Sequence, residues 1–500
     1  MSAIDTNILT ITEPTIELEP FAITDMESQE GDDRSKNKDK LSKSIGDAYP
    51  GIRINGYDFQ KDDVIYFELS LDDFIPTLNV TLRDSKGVFT ISQYPKDGDV
   101  LELLIKSKDE EVYKGIRMDF DILNIDSAPV STEDQGTGTD LGSGQKYSFS
   151  CQAKIPGLLA EKCESYGTDI SFNHLQTITD NLQIGFASNE TETADEQVRF
   201  CAYETPLSCL KRELLHAYKD DESFFVASID PYYYLNFVNL NQQLIVDENV
   251  EDTLVSLMDS INEKEMADDT DANKIEKKLV LTNRKEEGPG STTYIGKYGL
   301  VNNAGQIFLK NGYKRVVQYY NQVEREFVEF TLDTLTSENL PDNYLPLKGK
   351  SDEDRFETEM KYKYLGIQSD VEANGNVHPN YNYAMIQNFQ NAEEIEKLML
   401  QVILPSANMS LYRYQRVPVA IYEMNATRTQ NIEQKAEKSG DTQKENETAD
   451  GKKANPNNPK LNVFYSGFYI ILKIKYIYRQ SRGTMEQQLT LSRREWPAPI

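Results

Sequence analysis

Side chains able to do chemistry are few in this chain, and their spacing does not favour it. His174, His216 and His378 are its only histidines. None has a second His or Cys three or four positions away, the spacing that sets two metal ligands on one helix face. His216 falls near the end of a helix expected from Thr205 onward, where a cation complements the helix dipole, and reads as structural. Cys151, Cys163, Cys201 and Cys209 lie 12, 38 and 8 positions apart with no CxxC. In so long a chain they read as core thiols in a reducing compartment rather than as staples. Asp269-x-Asp271-x-Asn273 opens like a calcium loop, but Lys274 stands where Gly is needed and Val280 where Glu is needed. Gly136, Gly138, Gly142 and Gly144 precede Gln145-Lys146 without GxxxxGK[ST] spacing, and there is no GxSxG. Carboxylates are so abundant that no acid/base pair stands out. No enzyme, no metal and no cofactor is expected.

The elements that must position any site come from a chain of 500 residues and 57.1 kDa, long enough for several domains. With 29 Tyr, 20 Phe and 38% hydrophobic residues it can build real cores. Acidic residues number 82 against 53 basic ones, for a net charge of −29. A surface of that sign repels nucleic acid and anionic lipid, which excludes a dedicated DNA-binding role but suits a protein past which DNA slides. Met1–Thr15 has neither a basic flank nor an apolar run, so no signal peptide is expected. The most apolar stretch, Phe468–Tyr478, is broken by Lys473 and Lys475 and is about half a bilayer span, so no membrane segment is expected.

Residues 1–48 read as a mobile arm. Period-two alternation then predicts a half-buried antiparallel sheet or barrel over 49–152. Leu78, Val80 and Leu82 are one run; Leu101, Leu103 and Ile105 a second; Ile116, Met118, Phe120 and Ile122 a third; Tyr147, Phe149 and Cys151 a fourth. An α+β module follows over 153–246. Its helical runs are Ile155–Ser165, Leu175–Leu182 and a helix capped by Thr205-Pro206, and its strands flank a turn at Asp230-Pro231. Tyr232, Tyr233 and Tyr234 read as packed strand residues rather than a stacking platform. An acidic linker or helix is expected over 247–277, a β-rich connecting region over 278–384, and a second barrel over 385–500 carrying a disordered loop at 427–460. The fold class is thus α+β, mainly β. In SRREWPAPI, Arg493, Arg494 and Trp496 are candidates for a subunit contact or for terminal docking.

Three stretches together resemble a known family. FELSLDDFIPTLNVTLRDS with KDGDVLELLIKSKDEEVYKGIRMDFDIL resembles a hub barrel. LQIGFASNETETADEQVRF with DDESFFVASIDPYYYLNFVNLN resembles the hub's insertion domain. NVFYSGFYIILKIKYIY with MEQQLTLSRREWP resembles the closing strands of a second barrel. The family is the baseplate hub of contractile-tailed, T-even-like bacteriophages. The likeness spans about residues 50 to 500 outside the two polar insertions, and its barrel pattern is shared with tail tubes and type VI secretion spikes.

The resemblance implies two tail-tube-like antiparallel β-barrels per chain and a homotrimer whose six barrels form a pseudo-sixfold ring. Such a ring joins the sixfold tail tube protein to the threefold central spike protein within the virion's tail baseplate, assembled in the host cytoplasm. Baseplate wedge proteins are further partners, and the tape measure protein and then DNA pass through the lumen. By the same analogy Arg117, Asp119 and Asp121 are candidate lumen residues, the bore is net acidic, and Val417–Tyr422 and Ile470–Tyr478 are adhesive edges between subunits. The alternatives are a peptidoglycan-degrading tail enzyme and a hexameric tube-terminating or distal-tail ring.

Overall fold

The computed structural model describes residues 8–21, 48–96, 98–106, 115–129, 145–244, 254, 280–284, 292–311, 314–321, 325–332, 344–345, 360–368, 378–422, 461–493 and 496–497. The acidic segment 247–277 apart from Leu254, the loop 427–460, most of the arm 1–48, and Arg494 lie outside them.

After β1 (Leu9–Thr12) come seven strands: β2 (Tyr49–Ile54), β3 (Tyr57–Phe59), β4 (Val64–Leu71), β5 (Thr77–Asp84), β6 (Val100–Lys106), β7 (Ile116–Pro129) and β8 (Gln145–Ala153). They pair antiparallel in the order β3-β2-β6-β7-β8-β5-β4. The alternating residues do what their period requires. Leu78, Val80, Leu82, Leu101, Leu103, Ile105, Met118, Phe120 and Phe149 all turn inward and share one core. Thr81 and Ser148, one position off that period, meet on the opposite face at 3.0 Å.

The α+β module holds β9 (Lys162–Asp169), α1 (Ser171–Asn181), β10 (Gly185–Ser188), β11 (Gln197–Glu204), α2 (Pro206–His216), β12 (Phe225–Ile229) and β13 (Tyr234–Asn239). The Thr205 hydroxyl accepts from the Ser208 amide at 3.2 Å and Pro206 occupies the first turn, as the sequence predicts. Asp230 accepts from the Tyr232 and Tyr234 amides at 2.8 and 2.9 Å, which closes the β12–β13 turn. Ile155–Ser165, however, is not helical. Pro156-Gly157 starts a turn with Gly157 at φ +81°, and the chain leaves it as β9.

The N-terminal segment is docked rather than loose over residues 8–21. β1 pairs with β10 at the edge of the sheet β1-β10-β13-β12, and the Thr15 and Ile16 amides both reach the Gln183 carbonyl at 3.0 Å. The segment then crosses the first half-barrel, where Arg53 and Arg117 lie over the Phe21 ring at 4.3 and 5.7 Å.

The second set of strands begins with β14 (Val280–Thr282), β15 (Thr292–Tyr294) and β16 (Lys297–Asn302). An insertion follows with α3 (Ala304–Asn311), the three-stranded sheet of β17 (Lys314–Asn321), β18 (Glu326–Leu332) and β20 (Met360–Gln368), the short β19 (Tyr344–Leu345), and α4 (Tyr381–Glu394). The set resumes with β21 (Leu398–Leu404), β22 (Arg416–Ala420), β23 (Gly467–Arg479) and β24 (Met485–Ser492), and β25 (Trp496–Pro497) pairs with β19. Its first three strands therefore come from 280–302, upstream of the boundary read at 385.

This second set runs β15-β14-β22-β23-β24-β21-β16. By rank within each set, both half-barrels read second, first, fifth, sixth, seventh, fourth, third. All pairings are antiparallel except those of β14, which runs parallel to both β15 and β22. The likeness extends to a β-bulge. Leu123 is the extra residue between Ile122, opposite Cys151, and Asn124, opposite Ser150. Leu472 is the extra residue between Ile471, opposite Leu491, and Lys473, opposite Thr490. One residue before each pair, Asp121 faces Val100 and Ile470 faces Arg416, the last pairing to the fifth strand. The chain contains one seven-stranded unit twice; the first runs without a break, and the second carries a long insertion between its third and fourth strands.

Candidate functional site

The two units are joined edge to edge by β23. Its first residues pair with β22; past the bulge at Leu472 it leaves β22, and Ile474–Arg479 pair antiparallel with Leu71–Tyr66 of β4. A bulge bends and twists a strand, which lets one strand serve two partners on the same edge. Arg413 fixes the crossing, donating to the Leu472 carbonyl at 2.8 Å. Of the two edges expected to be adhesive, Ile470–Tyr478 does join barrels, but within the chain. Val417–Tyr422 is no free edge, because β22 lies between β14 and β23.

On the face averted from the core, the seam carries a charge cluster. Lys475 Nζ lies 3.1 Å from Glu68 and 3.3 Å from Asp72, and Ser70 and Tyr66 also donate to Glu68. Burial works to raise the Glu68 carboxyl, but the hydrogen bonds from Tyr66 and Lys475 outweigh it and hold it below the usual carboxylate range. Burial and the bond to Glu68 push the Tyr66 hydroxyl up to about 12. Beside the seam, Lys297, Gln401, Lys473, Lys475, Gln488 and Thr490 line a concavity of about 480 Å³, and Lys473 pairs with Glu396 at 2.9 Å. The charges here are of both signs and largely paired.

The residues singled out from the sequence fall elsewhere. Arg117 and Asp119 are an ion pair on the first half-barrel, with Glu102 2.9 Å from Arg117. Arg117 donates to the Glu19 carbonyl at 3.1 Å, and the Asp119 amide donates to Tyr233 Oη at 2.9 Å. The chain's own N-terminal segment and α+β module thus cover this patch. Asp121 is half-buried, and burial raises its carboxyl. Arg493 is 7% exposed and Trp496 fully buried. Arg493 donates to the Ser466 and Phe464 carbonyls at 2.8 and 2.6 Å and lies 4.4 Å over the Trp496 ring. Of the two readings of this terminus, these contacts are those of terminal docking.

Sequence reasoning missed that all three histidines converge. Arg199 and Glu213 form a buried ion pair, His174 Nδ1 is 3.7 Å from Glu213, and Ser171 donates to Glu213 at 3.2 Å. His378 Nε2 meets the His216 carbonyl at 2.8 Å, and His216 Nδ1 meets the Tyr381 carbonyl at 3.1 Å while its ring stacks on Tyr381 at 3.5 Å. A carbonyl only accepts, so these two nitrogens carry hydrogen. Burial lowers all three imidazoles, His216 to about 3. His216 is therefore neutral and does not act as a cation at its helix end. From α4, Asn388 donates to the Leu215 and Ala217 carbonyls at 3.0 and 2.9 Å and accepts from the Phe225 amide, docking α4 on the end of α2. This polar cluster is enclosed, and it holds helices together.

Cys201 and Cys209 form a disulfide, so two of the four cysteines are paired rather than being free core thiols; Cys151 and Cys163 are free. Glu204 adds a third potential metal ligand within 4.8 Å, but its carboxylate is taken by Arg212 at 2.6 Å, and a guanidinium there opposes a second cation. Among the described residues, no helix is long and apolar enough to cross a membrane.

No family model and no curated protein matches this chain. Solved structures similar to it include a tail protein from Neisseria meningitidis MC58, 8% identical, with a TM-score of 0.43 over 89% of this chain and 96% of that one. A 43 kDa tail protein of prophage MuSo2 from Shewanella oneidensis is 10% identical, with a TM-score of 0.42 over 91% of this chain and 100% of that one. An E. coli component of the type VI secretion system, described as similar to the T4 tail proteins gp27 and gp5, is 9% identical, with a TM-score of 0.40 over 90% and 79%. At these identities and scores the likenesses assign no function.

Proposed function

We propose that this chain is a structural tail protein of a phage virion, the baseplate hub. In this reading it forms a homotrimeric pseudo-sixfold ring that joins the sixfold tail tube to the threefold spike. The observation that carries this reading is the seven-stranded unit repeated in one chain and joined edge to edge. Two quasi-equivalent units in series are what a chain needs to present sixfold-like contacts on one side with only three copies. The likeness of residues 50–500 to hub proteins points the same way.

In such a ring the bore is lined by the core-averted face of β7, β8, β5, β4, β23, β24, β21 and β16. That face offers Asn79, Thr81, Ser148 and Ser150 from one unit and Gln401, Gln488 and Thr490 from the other, with the Glu68–Lys475 pair at the seam. On this reading the bore is less acidic than the net charge alone suggests. The wall is mostly neutral and polar, and Lys473 and Lys475 beside the seam are tied to carboxylates, so a passing phosphate backbone finds few counterion-releasing contacts there. The tape measure protein and DNA pass without specific binding, and tube, spike and wedge proteins dock on the rims. The role is architectural.

Absolute mass by light scattering behind gel filtration, at high protein concentration, tests the reading. Three times the 57.1 kDa chain supports the trimeric hub. Six times would favour the hexameric tail ring, and a persistent monomer, with or without a spike protein, would contradict both.

A further inference from the structure

We infer that β16 of one copy pairs antiparallel with the far end of β7 in the next copy, reproducing between chains the β4–β23 seam found within one. This deepens the ring reading and rests on it.

The repeat supplies the register. Ranked within their units, β4 and β16 are both third strands, and β7 and β23 both sixth strands. Their partners align them residue by residue. Phe67 and Leu69 face Val80 and Leu78, as Tyr298 and Leu300 face Val402 and Leu400. On the sixth strands, the shared bulge equates Leu123 with Leu472 and hence Ile125 with Ile474. Within the chain Ile474 meets Leu71, Lys475 meets Ser70, Tyr476 meets Leu69 and Ile477 meets Glu68. Carried across, Ile125 meets Asn302, Asp126 meets Val301, Ser127 meets Leu300 and Ala128 meets Gly299.

Among the described residues of the single chain, both edges are open. β7 pairs with β6 only as far as Asp121, and among the described residues no strand pairs with 122–129 on that side. Among the described residues β16 pairs with β21 alone, and it is exposed along nearly its whole length. The contrast with the closed seam is direct: Leu69 is fully buried, whereas its counterpart Leu300 is 36% exposed, and Leu123 is 63% exposed where Leu472 is 5%. An exposed strand edge with apolar side chains is adhesive, and the occupant that fits is the one whose equivalent already fills the other seam. Because β16 and β7 differ, the contact is head to tail, and such contacts build closed rings when the rotation closes.

The test is disulfide crosslinking of the full-length double variant Gly299→Cys/Ala128→Cys, with both single variants as background for the native thiols. A Cβ at Gly299 has nothing within 4 Å, so the substitution is tolerated in the free chain. Opposed residues on antiparallel strands have their Cα atoms roughly 4.5–5.5 Å apart, within the Cα separation a disulfide spans. Mild oxidation should link the double variant into dimers and a closed trimer on non-reducing gels, at least tenfold faster than the misregistered pair Gly299→Cys/Leu123→Cys. A trimer by mass that does not crosslink overturns the pairing and leaves the ring standing. Absence of both trimer and crosslink overturns the pairing and the ring together. A ladder running past three chains keeps the pairing and rejects the closed ring.

Discussion

Leu123 and Leu472 lie 349 positions apart, yet each is the extra residue of a bulge in the sixth strand of its half-barrel, at the point where that strand parts from the fifth. Leu472 has a partner beyond the bulge, since β23 runs on into β4. Leu123 has none among the described residues. The same backbone device is thus used once and left open once, and this asymmetry underlies the account of the protein as a ring component.

Leu472 is buried in one hydrophobic cluster with Phe224, Val238 and Tyr414, so truncation should leave a cavity. Leu472→Ala is expected to destabilise the chain by about 2–4 kcal/mol. Leu123→Ala should change monomer stability by less than about 0.5 kcal/mol, as an exposed site does. Denaturant titration of both variants checks the difference.

Gly467 is required by Arg493. A Cβ at Gly467 would run into the Arg493 guanidinium, which cannot swing away because two backbone carbonyls and the Trp496 ring hold it. Gly467→Ala should cost about 1–3 kcal/mol, in the range of overpacked cores. In an Arg493→Ala background the same change should cost much less, and a thermodynamic cycle would show this coupling.

Acid should loosen the helical cluster. A buried imidazole whose folded value is lowered binds its proton more readily in the unfolded chain. Its stabilisation is full above the unfolded value near 6.5 and is lost as pH falls toward the folded value. For His216 that window runs from about 6.5 down to about 3. Unfolding midpoints measured from pH 7 to pH 4 should fall less steeply for His216→Asn than for the parent chain. Equal slopes would mean that His216 is not the proton acceptor.

Thiol counting tests the Cys201–Cys209 bond. Denatured without reductant, the chain should titrate two thiols, from Cys151 and Cys163, and four after reduction. A loop this short contributes roughly 2–3 kcal/mol in the chain-entropy picture, so reductant should lower the unfolding temperature by a few degrees. Four thiols before reduction would contradict the pairing.

Much of the local structure was legible because period two leaves a plain mark, as in Leu78, Val80 and Leu82 or Ile116, Met118 and Phe120. The Thr205-Pro206 cap and the Asp230 turn were equally open to reading. Pro156-Gly157 gave a turn signal that should have outweighed the helical spacing after Ile155. Strand order left no mark of that kind. Nothing local tells that Ile474 pairs with Leu71, about 400 residues earlier, or that β14–β16 complete a unit resumed at Leu398. The histidine cluster was illegible for the same reason: His174, His216 and His378 come from separate segments, and only packing brings them together. Arg117 and Asp119 alternated as bore residues should, but alternation gives two faces without saying what covers them. Here Phe21 and Tyr233 do.

Electron microscopy of the purified chain, viewed end on, bears most directly on the central claim. The account predicts a particle with six lobes around an open hole and true threefold symmetry, each chain supplying two adjacent lobes. A particle without a central hole, or a ring whose lobe number is not twice its chain number, would contradict it.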